Sequence, residues 1–155
     1  MKSKKTDYIF NIRLEDCGAC DVGENILRKI RIPGDKSLYH FAEMIIRAFG
    51  FDFDHCFGFY DNFKRHHDSK RAYELFLDIG EEPLTPTVKS VKKTKIAQTF
   101  QSPGEKMLFL FDYGDEWRFS VELKEIKTGG KGSLKPVVLE SIGKAPEQYP
   151  PCEED

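Results

Sequence analysis

The sequence predicts an α+β domain in which an antiparallel or mixed sheet packs on one long helix, starting as ββα and closing later with a β-hairpin. Three observations predict it. Residues 8–14 and 26–32 alternate with the period of a strand that has one buried face. Leu38, Phe41, Ala42, Ile45 and Phe49 recur at the spacing of one helix face. Met107–Asp112 and Trp117–Ile126 flank a four-residue turn sequence, Tyr113-Gly114-Asp115-Glu116.

In the first strand Tyr8, Phe10, Ile12 and Leu14 oppose Ile9, Asn11 and Arg13; in the second Ile26, Arg28, Ile30 and Ile32 oppose Leu27, Lys29 and Arg31. The loop Glu15–Asn25 joins them as an antiparallel pair. Pro33-Gly34 stops the second strand, after which Asp35 or Ser37 caps the helix by accepting its orphan backbone N–H groups. Ile46 widens the apolar stripe and Gly50 ends the helix. Phe57–Tyr60 reads as a short strand. From Asp61 to Lys106 the pattern weakens: Ala72–Asp78 suits strand or helix, Pro83 and Pro86 break the chain, and Thr94 suits the cap of a short helix carrying Ile96 and Phe100. This stretch is expected to be a largely exposed excursion with short elements of its own. In the later hairpin Gly114 is expected to supply the positive φ of the turn, with Asp115 tolerating the same region. Gly129-Gly130 and Gly132 lead to a final strand-like run, Pro136–Leu139, and residues 1–6 and 146–155 read as flexible tails.

A chain of 155 residues, 39% hydrophobic, with thirteen Phe, six Tyr and one Trp, can close one core and is expected to form a single domain over residues 1–155. A net charge of −2 gives no global field for nucleic acid. Basic residues gather locally at Lys2, Lys4 and Lys5, at Lys64, Arg65, Lys70 and Arg71, and at Lys89, Lys92, Lys93 and Lys95. The start MKSKKTDYIF carries no apolar run of about 7–15 residues, and no stretch approaches the roughly 18 apolar residues of a membrane span. The expectation is a cytoplasmic protein with reduced thiols and no membrane association.

Four groups of residues invite a chemical reading. Cys17 and Cys20 form a CxxC, half of a zinc knuckle whose sulfurs would lie about 2.3 Å from the metal, with no second pair at matching spacing. Acidic neighbours Glu15, Asp16 and Asp21 oppose a redox role by raising thiol pKa; an ordinary reduced loop is the plain alternative. His66 and His67 sit in NFKRHHDSKR beside Lys64 and Arg65, a stretch that suits contact with phosphate or acidic side chains, or simply a solvated loop. His55 follows Phe51-Asp52-Phe53-Asp54, as a general base beside a carboxylate or as a packing residue among aromatics. Asp112, Asp115 and Glu116 offer paired carboxylates for acid–base work or Mg²⁺, although a hairpin alone accounts for Gly114 and Asp115. No serine or cysteine is singled out as a nucleophile, and no glycine-rich phosphate loop is present.

Taken together, NILRKIRIPGDKSLYHFAEMIIRAFGFDFDH, KTKIAQTFQSPGEKMLFLFDYGDEW and APEQYPP resemble the plasmid Ri-type open-reading-frame-three-like family, whose members also carry insertion-element and resolvase labels. Leu27, Arg28, Lys29, Ile30 and Pro33 match its strand before the helix, with Leu in place of Trp. Asp112, Gly114, Asp115 and Trp117 match its turn, and His55 its histidine after the helix. The chain departs where many members have histidine and it has Phe119, and at Pro146-Glu147-Gln148-Tyr149. The resemblance implies a compact α+β domain with its sheet on the helix, and carries over no activity, since a serine recombinase needs a nucleophilic serine and an arginine cluster.

Two functions follow as expectations. The first is a non-enzymatic binding or accessory module linked to mobile DNA, with Tyr113, Gly114, Asp115, Trp117, Lys64, Arg65, His66 and His67 on its binding surface; the ββα start is reminiscent of β-grasp protein-binding domains, by analogy of fold alone. A protein partner is favoured over nucleic acid, and no cofactor is required. The second is a metal-dependent hydrolase or nuclease using His55, Asp112, Asp115 and Glu116, with structural zinc at Cys17 and Cys20 as a lesser alternative.

Overall fold

The alternating segments become the strands of one broad sheet. A computed structural model describes residues 5–18, 22–83, 87–130 and 135–149. In chain order it contains β1 (Lys5–Cys17), β2 (Leu27–Pro33), α1 (Leu38–Ala48), β3 (Phe57–Tyr60), β4 (Ala72–Glu74), α2 (Leu75–Asp78), β5 (Val88–Ser90), α3 (Ile96–Thr99), β6 (Lys106–Phe111), β7 (Trp117–Gly130) and β8 (Val137–Ile142). Among the described residues the sheet has eight strands in the order β5-β4-β3-β6-β7-β1-β2-β8. Neighbours are antiparallel except β4 and β5, which run parallel. The sequence-predicted antiparallel pair is β1 with β2, and β1 also pairs with β7.

The expectation of one long helix is corrected: α1 has 11 residues and the sheet dominates. Ser37, not Asp35, caps α1, its hydroxyl accepting the His40 N–H at 3.1 Å. Gly50, at φ 78°, ends it while its N–H donates to the Arg47 carbonyl. The buried face of α1 lies on the aromatic side of the sheet, where Phe41 packs 4.5 Å from Phe10 and stacks 5.9 Å from Phe59. Strand alternation sends Phe57, Phe59, Phe109, Phe111, Trp117 and Phe119 to this face. The other residues of the same strands face away, so Tyr60, Ala72, Leu108 and Leu110 form a smaller second cluster against which Tyr113 packs.

The weak stretch from 61 to 106 resolves into short pieces. Ala72–Asp78 is strand and then helix, β4 followed at once by α2. The short helix near Thr94 starts one residue later, with Lys95 as N-cap and Gln98 Oε1 accepting the Lys95 N–H at 2.8 Å. Val91, Ile96 and Phe100 insert into the main core, which ties this excursion down. Pro86 lies outside the described residues. At the other end, Gln148 falls in the stretch expected to be a tail, yet it is buried and clasps the backbone of Asp52, accepting its N–H at 2.7 Å and donating to its carbonyl at 3.1 Å.

Candidate functional site

The turn between β6 and β7 is built by Asp112 rather than by its glycine. Asp112 and Glu116 have φ of 64° and 53°, whereas Gly114 stays out of the left-handed region, which corrects the expected role of that glycine. The physical reason is the short aspartate side chain. Its Oδ1 accepts the N–H groups of Gly114 at 3.1 Å and Asp115 at 3.3 Å, bonds that stabilise a conformation unfavourable to most L-residues. The Glu116 N–H closes the turn on the Asp112 carbonyl at 2.6 Å, and the Asp112 N–H donates to the Cys56 carbonyl at 2.9 Å.

That last bond brings His55 beside the turn. Asp112 Oδ2 lies 3.4 Å from His55 Nε2, which also meets the Tyr149 hydroxyl at 2.7 Å and Asp54 Oδ1 at 3.7 Å. Tyr149 in turn donates to Asp54 Oδ2 at 2.8 Å. Partial desolvation, then the bond to Asp54 and the surrounding carboxylates, hold the Tyr149 phenol above its ordinary pKa, so it remains a donor. His55 thus sits against two carboxylates and a phenol, as part of a clasp that fastens residues 148–149 to the end of the sheet. Asp54, Gln148 and Tyr149 were not singled out by sequence reasoning; APEQYPP offers no periodic signal that places it there.

The other acidic candidates do not join this group. Glu116 Oε1 receives Arg118 at 3.1 Å. Asp115 contributes its carbonyl, which accepts the Gly18 N–H at 2.9 Å and the Cys17 thiol at 3.5 Å. Among the described residues no group of three or more His, Cys, Asp or Glu side chains is arranged to hold a metal ion. Cys17 is buried, and Cys20 lies outside the described residues.

The proposed binding residues divide between the two sheet faces. Trp117 is enclosed in the core, 1% exposed and 4.7 Å from the Phe51 ring, so its inclusion in a binding surface is corrected. The cause is period two: Trp117 shares its face with Phe119 and Val121. Tyr113 and His66 meet on the opposite face, their rings 6.4 Å apart beside Tyr60 and Phe76. There the Tyr60 hydroxyl donates to the fully buried Glu74 and shares a 2.7 Å hydrogen bond with the Tyr113 hydroxyl. Burial pushes both phenols well above their ordinary pKa. Burial, followed by the Arg118 charge, lowers the pKa of His66. Lys64, Arg65 and His67 are exposed on the adjoining single-turn segment, where Asn62 Oδ1 accepts the N–H groups of Lys64 and Arg65, and Arg65 pairs with Asp68 at 2.9 Å.

Residues 7–149 match the family model described as plasmid pRiA4b ORF-3-like protein. A crystal structure of a protein of unknown function, MM3350 from Methanosarcina mazei Go1, matches with a TM-score of 0.69 at 18% identity, covering 88% of this chain and 70% of that one. At that identity the likeness is one of fold. No match was found among curated proteins. No helix among the described residues is long and apolar enough to cross a membrane.

Proposed function

We propose, from the premise that the chain belongs to the plasmid pRiA4b ORF-3-like family, that it works as a non-enzymatic binding module, associated with mobile DNA as the family's plasmid name suggests. The supporting observation is the use to which Asp112 is put. One carboxylate oxygen caps two backbone N–H groups and the other faces His55, whose Nε2 already holds Tyr149. A group committed to holding a turn is poorly placed to exchange protons with a substrate. A protein partner is favoured over nucleic acid because Arg65, beside the histidine pair, is already paired with Asp68.

The 3.4 Å approach of His55 to Asp112 supports a second reading, a metal-assisted hydrolase. Thermal unfolding with added Mg²⁺, Mn²⁺ or Zn²⁺ separates the two, because a ligand bound only by the native state raises its stability by mass action. The binding-module reading expects no shift that His55→Ala abolishes; a saturable shift lost in His55→Ala sinks it. Zinc at Cys17 and Cys20 is a lesser reading of the same kind, and elemental analysis of purified protein at under about 0.1 equivalents per chain would end it.

A further inference from the structure

Two basic runs separated in sequence converge at one edge of the sheet. β4 and β5 are the parallel pair, with Ala72 opposite Val88 and Tyr73 opposite Lys89. Parallel strands enter the sheet from the same end, so Lys70 and Arg71, which precede β4, stand beside Thr87, which precedes β5. The Thr87 hydroxyl donates to the Lys70 carbonyl at 3.4 Å. Across from them lies α3. Together Lys70, Arg71, Thr87, Lys89, Gln98 and Gln101 surround a cleft of about 350 Å³ whose floor is β4.

We propose that this cleft binds the phosphate group of a phosphorylated small molecule, a site separate from the His55 clasp and beyond the binding-module reading. The lining places three cations and no carboxylate around one concavity. Such a half-enclosed cleft concentrates positive potential, which an anion relieves. Arg71 is fixed in place, donating to the Thr99 carbonyl at the end of α3 and lying 4.0 Å from Glu105. Lys70 and Lys89 have no ion pair among the described residues and are free to close on a ligand. Gln98 uses its oxygen on the Lys95 N–H and keeps its amide N–H groups to donate. A guanidinium, two ammonium groups and an amide are donors that oxyanions recruit. The volume falls within the roughly 300–1,000 Å³ range of small-molecule sites. Single-stranded nucleic acid fits less well, because the one aromatic residue of the lining, Tyr73, is 4% exposed and gives bases no face to stack on.

Titration of the full chain with inorganic pyrophosphate by calorimetry, at constant ionic strength, tests the site. Saturable binding is expected, weakened at least about tenfold in Lys70→Gln and in Lys89→Gln, since each removes a charge-assisted bond. Lys124→Gln, on β7 beside Glu122, should leave the affinity unchanged. Both test lysines are exposed, so folded variants are expected, and circular dichroism verifies that. Absence of saturable binding, or equal affinity in a folded Lys70→Gln/Lys89→Gln double variant, overturns the proposal. So does an oligonucleotide that binds more tightly than pyrophosphate and is insensitive to both substitutions. Hydrolysis of bound pyrophosphate would retain the site while removing the non-enzymatic reading.

Discussion

Replacing Gly58 by alanine tests how tightly the second face of the sheet is built. A Cβ on Gly58 would stand 2.6 Å from the Tyr60 hydroxyl, 2.7 Å from the Tyr113 hydroxyl and 2.8 Å from Tyr60 Cε2, against ordinary contacts of 3.4 Å or more. The backbone there is not left-handed, so the obstacle is space alone. Neither hydroxyl can retreat freely: Tyr60 is held by buried Glu74 on one side and by Tyr113 at 2.7 Å on the other. Overpacking costs about 1–3 kcal/mol, and losing the donor to a buried carboxylate adds about 1–3 kcal/mol. The reduced freedom of the unfolded chain offsets about 0.4–1 kcal/mol of that. Gly58→Ala should therefore lose about 3 kcal/mol in urea unfolding, a large part of a typical domain's stability. In a Tyr113→Phe background one of the clashing oxygens is gone, and the same substitution should cost about 1 kcal/mol less. A loss below about 0.5 kcal/mol, or an equal loss in both backgrounds, would refute the reasoning.

Three other outcomes follow from the same geometry. Arg28 is buried and donates to the carbonyls of Ala48, Leu27, Ile142 and Gly143, joining α1, β2 and the end of β8; Arg28→Met should lower stability by at least about 3 kcal/mol in thermal unfolding, and Arg28→Lys should recover less than half, because one ammonium cannot span those acceptors. Asp112→Ala should cost about 1–2 kcal/mol by removing both turn bonds at a positive φ, whereas Asp112→Asn, which tolerates that φ and keeps an acceptor, should stay within about 0.5 kcal/mol by urea unfolding. Burial and then the Arg118 charge lower the His66 pKa from 6.5, so the native state binds fewer protons than the unfolded one; stability should be full above about pH 6.5 and decline as pH falls below it, and His66→Asn should flatten that decline in urea midpoints.

What the sequence makes legible is whatever a period can encode. α1 and the pairing of β1 with β2 follow from spacing alone, because one side of each element must meet the core. The turn shows the limit. Glycine is the usual carrier of positive φ, yet here Asp112 takes it and Gly114 does not, since the aspartate bonds its own turn. His55 and Asp112 were readable as candidates, but their meeting depends on a backbone bond from Asp112 to Cys56, and the Tyr149 contribution comes from the far end of the chain. Trp117 was misjudged because the same alternation that identifies β7 also puts that ring inside.

The most informative failure lies in the excursion from 61 to 106. Its pattern is weak because β4 and β5 have three residues each, too few for a period to declare itself. Brevity has a functional side. Strands this short leave the polar residues that flank them at the sheet edge instead of in its core, and loop positions released from packing are where binding groups accumulate. Lys70, Arg71 and Lys89 read as solvated charge in two separate runs, and only the parallel register of β4 and β5 makes them neighbours. An antiparallel pairing of the same two segments would place Thr87 at the opposite end of β4 from Lys70 and dissolve the cleft. The candidate anion site therefore depends on strand direction, a property no single stretch of this sequence carries.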